Sequence, residues 1–436
     1  MSPLPFPSSI RNPSLRKLSL ASETMKTESR KEVSIEERPS SDPPKLHGKK
    51  LLVLGVGVGS GHMRAAQAVA EAVSLFAPDI ETQVLDALDF GALPYRRAYR
   101  SLYLLLARRF PQILDLLYRL TDSLPFGLSG ILPAIDRLAF LRLTETILAD
   151  PPDLILCTHF LPLEILAPLR LSGELSSPLF GAVTDLHPHG IWLWPGVDRY
   201  FTADENARKQ IALRSPGAGI SPVGIPISPS FSRTGDRRAL RQSLGLPDRR
   251  TVLLLSGGEG IGDLPGLIAS FRDFPGELTL VAIAGKNHRL EARCRQVAPT
   301  VESPGLSVRT LGFVRNMSDW MAASDIVVTK PGGLTLFEAL ALGRPLILLP
   351  ARGGQEEINR QWALSRGVAA GCDAAGGAGE LLASLVAQPG RLEAMARAAL
   401  LAGRPQAATR VAGEIVHTFR ERPGQESPKI QNRRIS

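Results

Sequence analysis

The chain carries two successive series of short apolar segments, and this repetition restricts its fold more than any other feature. Five segments lie between residues 50 and 204, and five more lie between 251 and 351. In each series the apolar segments alternate with longer helix-like stretches and end in polar residues or glycine. Such alternation is typical of a parallel sheet with helices on both faces. The sequence therefore predicts an α/β fold with two Rossmann-like domains.

Composition indicates where these two domains begin and end. Residues 1–48 combine Ser, Pro, Glu, Lys and Arg with few large apolar side chains, so we expect a disordered tail. Prolines and a glycine in 222–232 disfavour helix and interior strand, and they predict an interdomain linker. An N-terminal domain is thus expected at 49–221 and a C-terminal domain at 233–416. The remaining residues, 417–436, are predicted to form a basic, disordered tail.

The charge of the chain limits the class of partner. Lys and Arg number 51 against 42 Asp and Glu, for a net charge of +9, which favours nucleic acid, acidic phospholipid or a phosphorylated substrate. Because no RNA-binding signature or helix-turn-helix pattern is found, no nucleic-acid partner is expected. No apolar stretch reaches the roughly 18 residues of a membrane span, and three widely spaced cysteines suit a reducing cytoplasm.

A glycine-rich segment, VLGVGVGSGH, follows the first apolar segment at residues 53–62. A dinucleotide fingerprint would need glycine where Ser60 or His62 stands, and a Walker A loop would need a lysine that is absent. What remains is exposed backbone leading into a helix, whose free N–H groups attract anions. His62 lies at the start of that helix. It either acts on a substrate or serves as a capping or packing residue, and the local sequence favours neither.

A second glycine turn, within residues 329–350, predicts a diphosphate site. Gly332 and Gly333 end an apolar segment, and a helix is expected to begin one or two residues later, with unpaired amides facing a cleft. Lys330 adds a positive charge. Glu338 lies one turn into the helix, where it either accepts ribose hydroxyls or merely closes a TxxE capping box.

Two further polar clusters follow apolar segments. Gln355, Glu356 and Asn359 are placed to bind sugar hydroxyls, or they simply begin a helix. Asp185 and the two histidines that follow it in TDLHPHG are expected at the rim of a cleft, where Asp185 is a candidate general base. A zinc site that also uses His159 would require these side chains to converge on one point, so the sequence predicts no metal site.

The segment 95–120 carries six arginines and one acidic residue among leucines and tyrosines. Such a segment is typical of attachment to an anionic membrane, where each arginine contributes ~1 kcal/mol, although a helix pair with a solvated face has the same pattern. Of these two interpretations of the segment, we favour attachment to a membrane. Trp192 and Trp194 belong either to an apolar loop at the acceptor and membrane side or to ordinary core. The arginines assigned to the membrane surface are Arg96, Arg97, Arg100, Arg108 and Arg109.

In their order along the chain, these motifs resemble the monogalactosyldiacylglycerol synthase family and its bacterial relatives, the processive diacylglycerol glucosyltransferases. These enzymes are related to the N-acetylglucosaminyltransferase that forms lipid II. The resemblance runs from about residue 50 to about 420. It rests on GSGHMRAA, VTDLHPHGIW, VGIPISPSF, the segment 311–348 and GGQEEIN. It implies a GT-B fold, in which an N-terminal acceptor domain faces a C-terminal UDP-sugar domain across a cleft.

The resemblance also implies roles for individual residues. His62 would be the general base beside the acceptor hydroxyl, with Asp185 as second choice, and Gly59 and Gly61 would let the substrate approach. The donor site would use the following residues: Gly332, Gly333, Leu334 and Thr335 for the diphosphate, with Lys330 and Gly258 nearby, Glu338 for the ribose, Phe313 and Val314 for the uracil, and Gln355, Glu356 and Asn359 for the hexose.

The implied reaction is an inverting transfer of galactose or glucose from a UDP-sugar to the sn-3 hydroxyl of 1,2-diacylglycerol. It would make a β-glycolipid at the cytoplasmic face of a membrane, with anionic lipids as further partners. The UDP-sugar is a co-substrate, and no cofactor or metal is expected, since no DxD motif is present. The alternatives are a UDP-N-acetylglucosamine-using transferase or epimerase of the same fold, and a non-catalytic protein that binds nucleotide sugars or nucleic acid.

Overall fold

The computed structural model describes residues 46, 48–57, 60–97, 122, 131–215, 217–232, 235–257, 260, 262–351 and 354–421. All of these residues belong to one compact unit. Five residues with predicted roles lie outside the described part of the chain: Gly59, Arg100, Arg108, Arg109 and Gly258.

The first half of the chain forms a six-stranded parallel sheet in the order β2-β1-β3-β4-β5-β6. Its strands are β1 (Lys50–Gly55), β2 (Glu81–Asp86), β3 (Leu154–Cys157), β4 (Leu179–Ala182), β5 (Arg199–Phe201) and β6 (Gly219–Ser221). The accompanying helices are α1 (Ser60–Phe76), α2 (Ile131–Ala139), α3 (Leu141–Ala149), α4 (Phe160–Ser172) and α5 (Glu205–Arg214), with short 3-10 turns at Ala87–Phe90 and Gly190–Trp192.

The second half repeats this architecture in the order β12-β11-β10-β7-β8-β9. Its strands are β7 (Thr251–Leu255), β8 (Leu278–Ile283), β9 (Leu306–Leu311), β10 (Ile326–Thr329), β11 (Leu346–Leu348) and β12 (Ala369–Gly371). Its helices are α6 (Arg237–Ser243), α7 (Leu264–Ala269), α8 (His288–Val301), α9 (Met317–Ala323), α10 (Gly333–Ala341), α11 (Gly354–Ser365), α12 (Ala378–Ala387), α13 (Arg391–Ala402) and α14 (Ala407–Glu421), with 3-10 turns at Pro229–Ser232 and Ala375–Gly377.

The predicted α/β class is confirmed, and burial explains why the apolar segments became strands. Every residue of β3, β4, β7, β8 and β10 is buried, as expected for parallel strands covered on both faces. The sequence missed β6 and β12, which are the edge strands GIS and AAG. Neither AAG nor GIS, with its single isoleucine, makes an apolar segment, so the pairing of each strand depends on its neighbour.

The last helix corrects the predicted end of the C-terminal domain. Helix α14 packs on α1 of the first half and continues to Glu421, into the segment expected to be a disordered tail. Glu414 also pairs with Arg199 at 2.6 Å. Apolar residues recur every three or four positions along this helix. This period predicts a helix with one buried face, although the average composition of the segment is polar. The residues on that face are Ala408, Val411, Ala412, Ile415 and Phe419. Leu46, assigned to the N-terminal tail, is buried in the same core.

Candidate functional site

The candidate site lies where the carboxyl ends of the two sheets meet. In parallel α/β sheets, ligands bind at this edge. A methyl group on Gly61, in the first turn of α1, would lie 4.0 Å from the Cβ of Leu334 in α10. A methyl group on Gly333 would lie 3.1 Å from the carbonyl oxygen of Thr184, which follows β4. The absence of a side chain at Gly333 therefore lets the two halves approach closely.

His62 lies at this junction, and its hydrogen bonds define its tautomer. Its Nδ1 is 3.0 Å from the carbonyl oxygen of Thr158 and 2.8 Å from the Oγ1 of Thr184. Since a carbonyl only accepts, Nδ1 carries the proton. Thr158 in turn donates its hydroxyl to the His62 carbonyl at 2.9 Å. The lone pair is thus on Nε2, the nitrogen that can accept a proton.

The surroundings of His62 keep the ring neutral. Burial lowers its pKa below the usual 6.5, although the Asp185 carboxylate and the Thr158 carbonyl oppose that shift. The ring of His159 lies edge-on at 4.5 Å between centroids. Burial, assisted by His62, lowers the pKa of His159 well below its ordinary value. A neutral imidazole with a free lone pair is the state that a general base requires at pH 7.

Asp185 is buried, and both of its oxygens are occupied. Oδ2 accepts a hydrogen bond from the indole N–H of Trp192 at 2.9 Å, while Oδ1 accepts one from the Gln355 side chain of the opposite half. Burial raises the pKa of Asp185, even though His62 and these donors lower it. The carboxylate therefore holds groups in place across the junction, and the geometry favours His62 over Asp185 as the base.

Trp192 and Trp194 belong to the core, so the alternative that they form an apolar loop at the acceptor and membrane side is wrong. They are 0% and 2% exposed. Each indole N–H finds an internal acceptor, Asp185 for Trp192 and the Ile191 carbonyl at 2.8 Å for Trp194. Because both polar groups are satisfied inside, burying these large rings is favourable.

The glycine turn after β10 presents a helix N-terminus to the junction. Gly332 is the N-cap and makes no side-chain capping bond, so α10 begins at Gly333, earlier than predicted. The amides of Gly333, Leu334 and Thr335 thus have no partner within the helix. They and the positive end of the helix dipole suit an anion such as a diphosphate.

Glu338 does not close a capping box, because it is the sixth residue of α10 instead of the third. Its side chain is 2% exposed, and its Oε1 pairs with the guanidinium of Arg64, which lies on α1 of the opposite half. Its Oε2 is buried and has no hydrogen-bond partner among the described residues. Burial raises the pKa of Glu338, and Arg64 opposes that rise.

The residues predicted to bind the hexose divide into two groups. Gln355 and Glu356 lie in the first turn of α11, where Gln355 contacts Asp185 and Glu356 Oε1 accepts from Lys330 Nζ at 2.6 Å. Asn359 is instead buried beneath the glycine turn and donates to the carbonyl of Pro331 at 2.9 Å. Its Oδ1 has no partner in the part of the chain that the structure describes.

Phe313 and Val314 follow β9 at the same edge of the second sheet. Phe313 is 58% exposed, whereas Val314 packs against the core. The ammonium of Lys286 lies 5.6 Å from the Phe313 ring centroid. An exposed aromatic ring at the carboxyl edge of the second sheet offers a surface on which a planar base stacks.

The histidines near Asp185 have separate structural partners. Nδ1 of His159 and Nδ1 of His189 each accept a backbone N–H at 3.1 Å, and His187 Nε2 lies 2.8 Å from Asp122 Oδ2. Among the described residues no group of three or more His, Cys, Asp or Glu is arranged to hold a metal ion. Although partial burial opposes it, hydrogen bonds from His187, Gly190 and Arg214 lower the pKa of Asp122 to about 2.

Two arginines of the predicted membrane segment are described. Arg96 pairs with Asp89 at 3.0 Å, and Arg97 is exposed. None of the helices described has the length and apolar character needed to cross a membrane.

Sequence reasoning missed Arg64, Thr158, Thr184 and Asp122. Arg64 lies two residues after His62 in an alanine-rich helix. Its position predicts that it is close to the site, but it does not predict its ion-pair partner. The two threonines follow strands β3 and β4, so their position at the carboxyl edge was the available signal. Asp122 does not follow a predicted strand, so nothing in the sequence indicated its contact with His187.

Comparisons with known proteins agree with this geometry. Residues 62–227 match the family model described as monogalactosyldiacylglycerol (MGDG) synthase, and residues 254–408 match the glycosyltransferase family 28 C-terminal domain. Over 258 residues the chain is 30% identical to a processive diacylglycerol beta-glucosyltransferase of Staphylococcus carnosus, which covers 58% of this chain and 64% of that protein. The enzyme of the same name from Bacillus cytotoxicus is 29% identical over 52% of this chain and 58% of its own length. The matched region thus spans about six-tenths of these curated relatives.

Solved structures share the architecture. MurG of Acinetobacter baumannii superposes with a TM-score of 0.58 at 15% identity, covering 85% of this chain and 99% of that one. The S. aureus MnaA–UDP structure gives 0.55 at 15% identity over 87% and 99%. These similarities establish the GT-B fold that the motifs predicted.

Proposed function

We propose that the protein is an inverting lipid hexosyltransferase, because residues 62–227 match the MGDG synthase family model and residues 254–408 match the glycosyltransferase family 28 C-terminal domain. It moves a hexose from a UDP-sugar to the sn-3 hydroxyl of 1,2-diacylglycerol and makes a β-glycolipid. UDP-glucose is the first donor to test, since the two relatives are named as glucosyltransferases.

The observation that carries this proposal is the juxtaposition of His62 with the N-terminus of α10. A neutral imidazole with its lone pair on Nε2 lies at the junction where Gly333 meets Thr184. A base on one side and an anion-binding helix end on the other are the two parts that an inverting transfer needs.

The donor is bound by the C-terminal domain. The amides of Gly333, Leu334 and Thr335 hold the diphosphate, with Lys330 as a nearby positive charge. The exposed ring of Phe313 stacks on the uracil, beside Val314. The ribose hydroxyls donate to the unpartnered oxygen of Glu338, and Gln355 and Glu356 border the hexose, which lies close to Asp185.

The reaction is a single displacement. The lipid hydroxyl oxygen forms a bond to the anomeric carbon as the bond from that carbon to the diphosphate oxygen breaks, and His62 Nε2 takes the hydroxyl proton. UDP leaves as an anion. Its charge is stabilised by the amides, the helix dipole and Lys330, so the proposal requires no metal cofactor. A positioned base contributes ~10²–10⁴-fold to the rate.

The acceptor is reached from a membrane surface at its cytoplasmic face, to which the chain attaches peripherally. Arg97 is exposed, and Leu93 and Leu138 are 62% and 70% exposed. The residues next to these leucines, Ala92 and Ala139, are joined by a backbone hydrogen bond of 2.9 Å. Basic and apolar side chains together suit an interface that contains anionic lipid. No nucleic-acid partner is part of this proposal.

The test is transfer of labelled hexose to lipid. Purified full-length protein is incubated with UDP-glucose, UDP-galactose or UDP-N-acetylglucosamine and diacylglycerol liposomes, with and without phosphatidylglycerol, and products are separated by thin-layer chromatography. We expect a labelled β-glycolipid from a hexose donor, with a higher yield on anionic liposomes. EDTA should leave the yield unchanged.

If the protein binds UDP but no donor gives a glycolipid, the proposed transferase activity is wrong. Conversion of UDP-N-acetylglucosamine to its epimer without lipid would show that the protein is an epimerase instead. Binding of UDP without turnover of any donor would leave a nucleotide-sugar binding protein.

A further inference from the structure

The two carboxylate oxygens of Glu338 have different environments. Oε1 pairs with the guanidinium of Arg64, whereas Oε2 is buried without a hydrogen-bond partner among the residues described. A buried, unsatisfied acceptor is costly, so a protein retains one where a ligand completes it. Its position in the second turn of α10, beyond the free amides, fits a ligand that extends past a diphosphate.

Arg64 reaches this carboxylate from the opposite domain. It lies on α1, two residues after His62, and its side chain is 34% exposed while that of Glu338 is 2% exposed. Glu338 therefore depends on the N-terminal domain for its counter-charge. Without a positive neighbour, a carboxyl group at such a site favours the protonated form, which accepts hydrogen bonds less strongly.

We propose that Arg64 is a positioning residue of the donor site: it holds Glu338 as a carboxylate and leaves one oxygen free for the two ribose hydroxyls of the nucleotide. This inference rests on the proposed function, because it takes a nucleoside diphosphate as the ligand of α10. Its consequence is that Arg64 of the N-terminal domain contributes to nucleotide affinity by acting through Glu338. The helix that carries the base thus also completes the ribose site.

The same ion pair could serve only to stabilise the contact between the two domains, and this role predicts a different result. Loss of a purely stabilising ion pair would lower the affinity for every nucleotide equally. A positioning role acts through the ribose hydroxyls, so its loss should weaken UDP more than an analogue that lacks them.

The experiment measures the affinity of the full-length protein for UDP and for 2′,3′-dideoxyuridine diphosphate by calorimetry. The variants are Arg64→Gln, Arg64→Lys, Glu338→Gln and the double variant R64Q/E338Q. Gln67→Ala, an exposed change on the same helix, is the matched control. Thermal unfolding of each variant verifies that it is folded.

We expect Arg64→Gln to weaken UDP binding about tenfold and the analogue less than threefold, because charge-assisted hydrogen bonds are roughly twice as strong as neutral ones. Arg64→Lys should recover most of the loss, since it keeps the charge. The double variant should bind no more weakly than Glu338→Gln alone, because both changes remove one interaction. Gln67→Ala should bind like the wild type.

The positioning role is wrong if Arg64→Gln lowers the affinity for UDP and for the analogue equally, or if it binds UDP like the wild type. Either result leaves the proposed transferase activity unaffected. Additive losses in the double variant would also overturn the positioning role. Conversely, wild-type protein that binds UDP but makes no glycolipid contradicts the proposed function without touching this inference. A wild type that binds no UDP overturns both.

Discussion

The two sides of the junction differ in how many of their buried polar atoms have hydrogen-bond partners within the protein. On the acceptor side, the proton of His62 is held by Thr158 and Thr184, and Asp185 has donors on both oxygens. On the donor side, Glu338 and Asn359 each keep a buried oxygen without a partner among the described residues. The proposed base is therefore held in place by the protein itself, whereas the proposed donor site keeps two unpartnered acceptor oxygens that are available to a ligand. Changes on the acceptor side should affect the rate, and changes on the donor side should affect affinity.

The largest effect is expected from removing the base. His62→Ala should lower kcat/KM for glycolipid formation by ~10²–10⁴-fold, because the change removes the proposed proton acceptor. The affinity for UDP, measured by calorimetry, should stay within about twofold of the wild type. A comparable loss of UDP affinity would break the division between the two sides.

A smaller effect is expected where the two sides touch. Gly333→Ala places a methyl group 3.1 Å from the Thr184 carbonyl and should lower kcat/KM about tenfold by separating the domains. The corresponding change Gly376→Ala, in a turn with open space around it, is the control for stability. Wild-type kinetics in Gly333→Ala would mean that the close approach is not needed for transfer.

A modest effect should follow from loosening the imidazole. Thr184→Val removes one of the two groups that hold Nδ1 and should reduce kcat about threefold to tenfold, with UDP affinity unchanged. Thr146→Val, an exposed change on α3, is the matched control. A selective loss of UDP affinity in Thr184→Val would assign this threonine to the donor side.

The pH profile tests the protonation state of the base. Because burial lowers the pKa of His62, the ring remains neutral below its usual 6.5. The value of kcat/KM should therefore stay constant as the pH falls to 6.5, and decline only at lower pH as the ring gains a proton. A decline centred above pH 6.5 contradicts the buried environment described for this residue.

The smallest effect on activity is expected from a buried acid of the acceptor domain that does not face the junction. Burial, together with Asp136, raises the pKa of Glu164 on α4 to about 8. The folded state then holds a proton that the unfolded chain loses above its ordinary 4.5, so stability falls as pH rises from about 4.5 to 8. Glu164→Gln should raise the stability at pH 8 by about 1–3 kcal/mol, and less at pH 5, without changing kcat. Thermal unfolding at both pH values measures this difference.

Local sequence was most informative where one element acts alone. The apolar series marked the strands with buried side chains but missed β6 and β12, whose pairing is supplied by their neighbours. The repeat of Ala408, Val411 and Ile415 contained the information that α14 is amphipathic, although average composition concealed it. The indoles of Trp192 and Trp194 could not be placed in core or surface, because their acceptors are distributed over a folded loop.

By itself, the sequence determined that this chain folds into two parallel-sheet domains with glycine turns before helix N-termini, since hydrophobic period and backbone freedom are local properties. Only the tertiary structure decided which nitrogen of His62 bears the proton and which residue balances Glu338. The partners concerned, Thr158 and Arg64, lie 96 and 274 residues away along the chain. Hydrogen bonds and ion pairs act over a few ångströms in space, so no local pattern specifies them until both sheets have brought their carboxyl edges together.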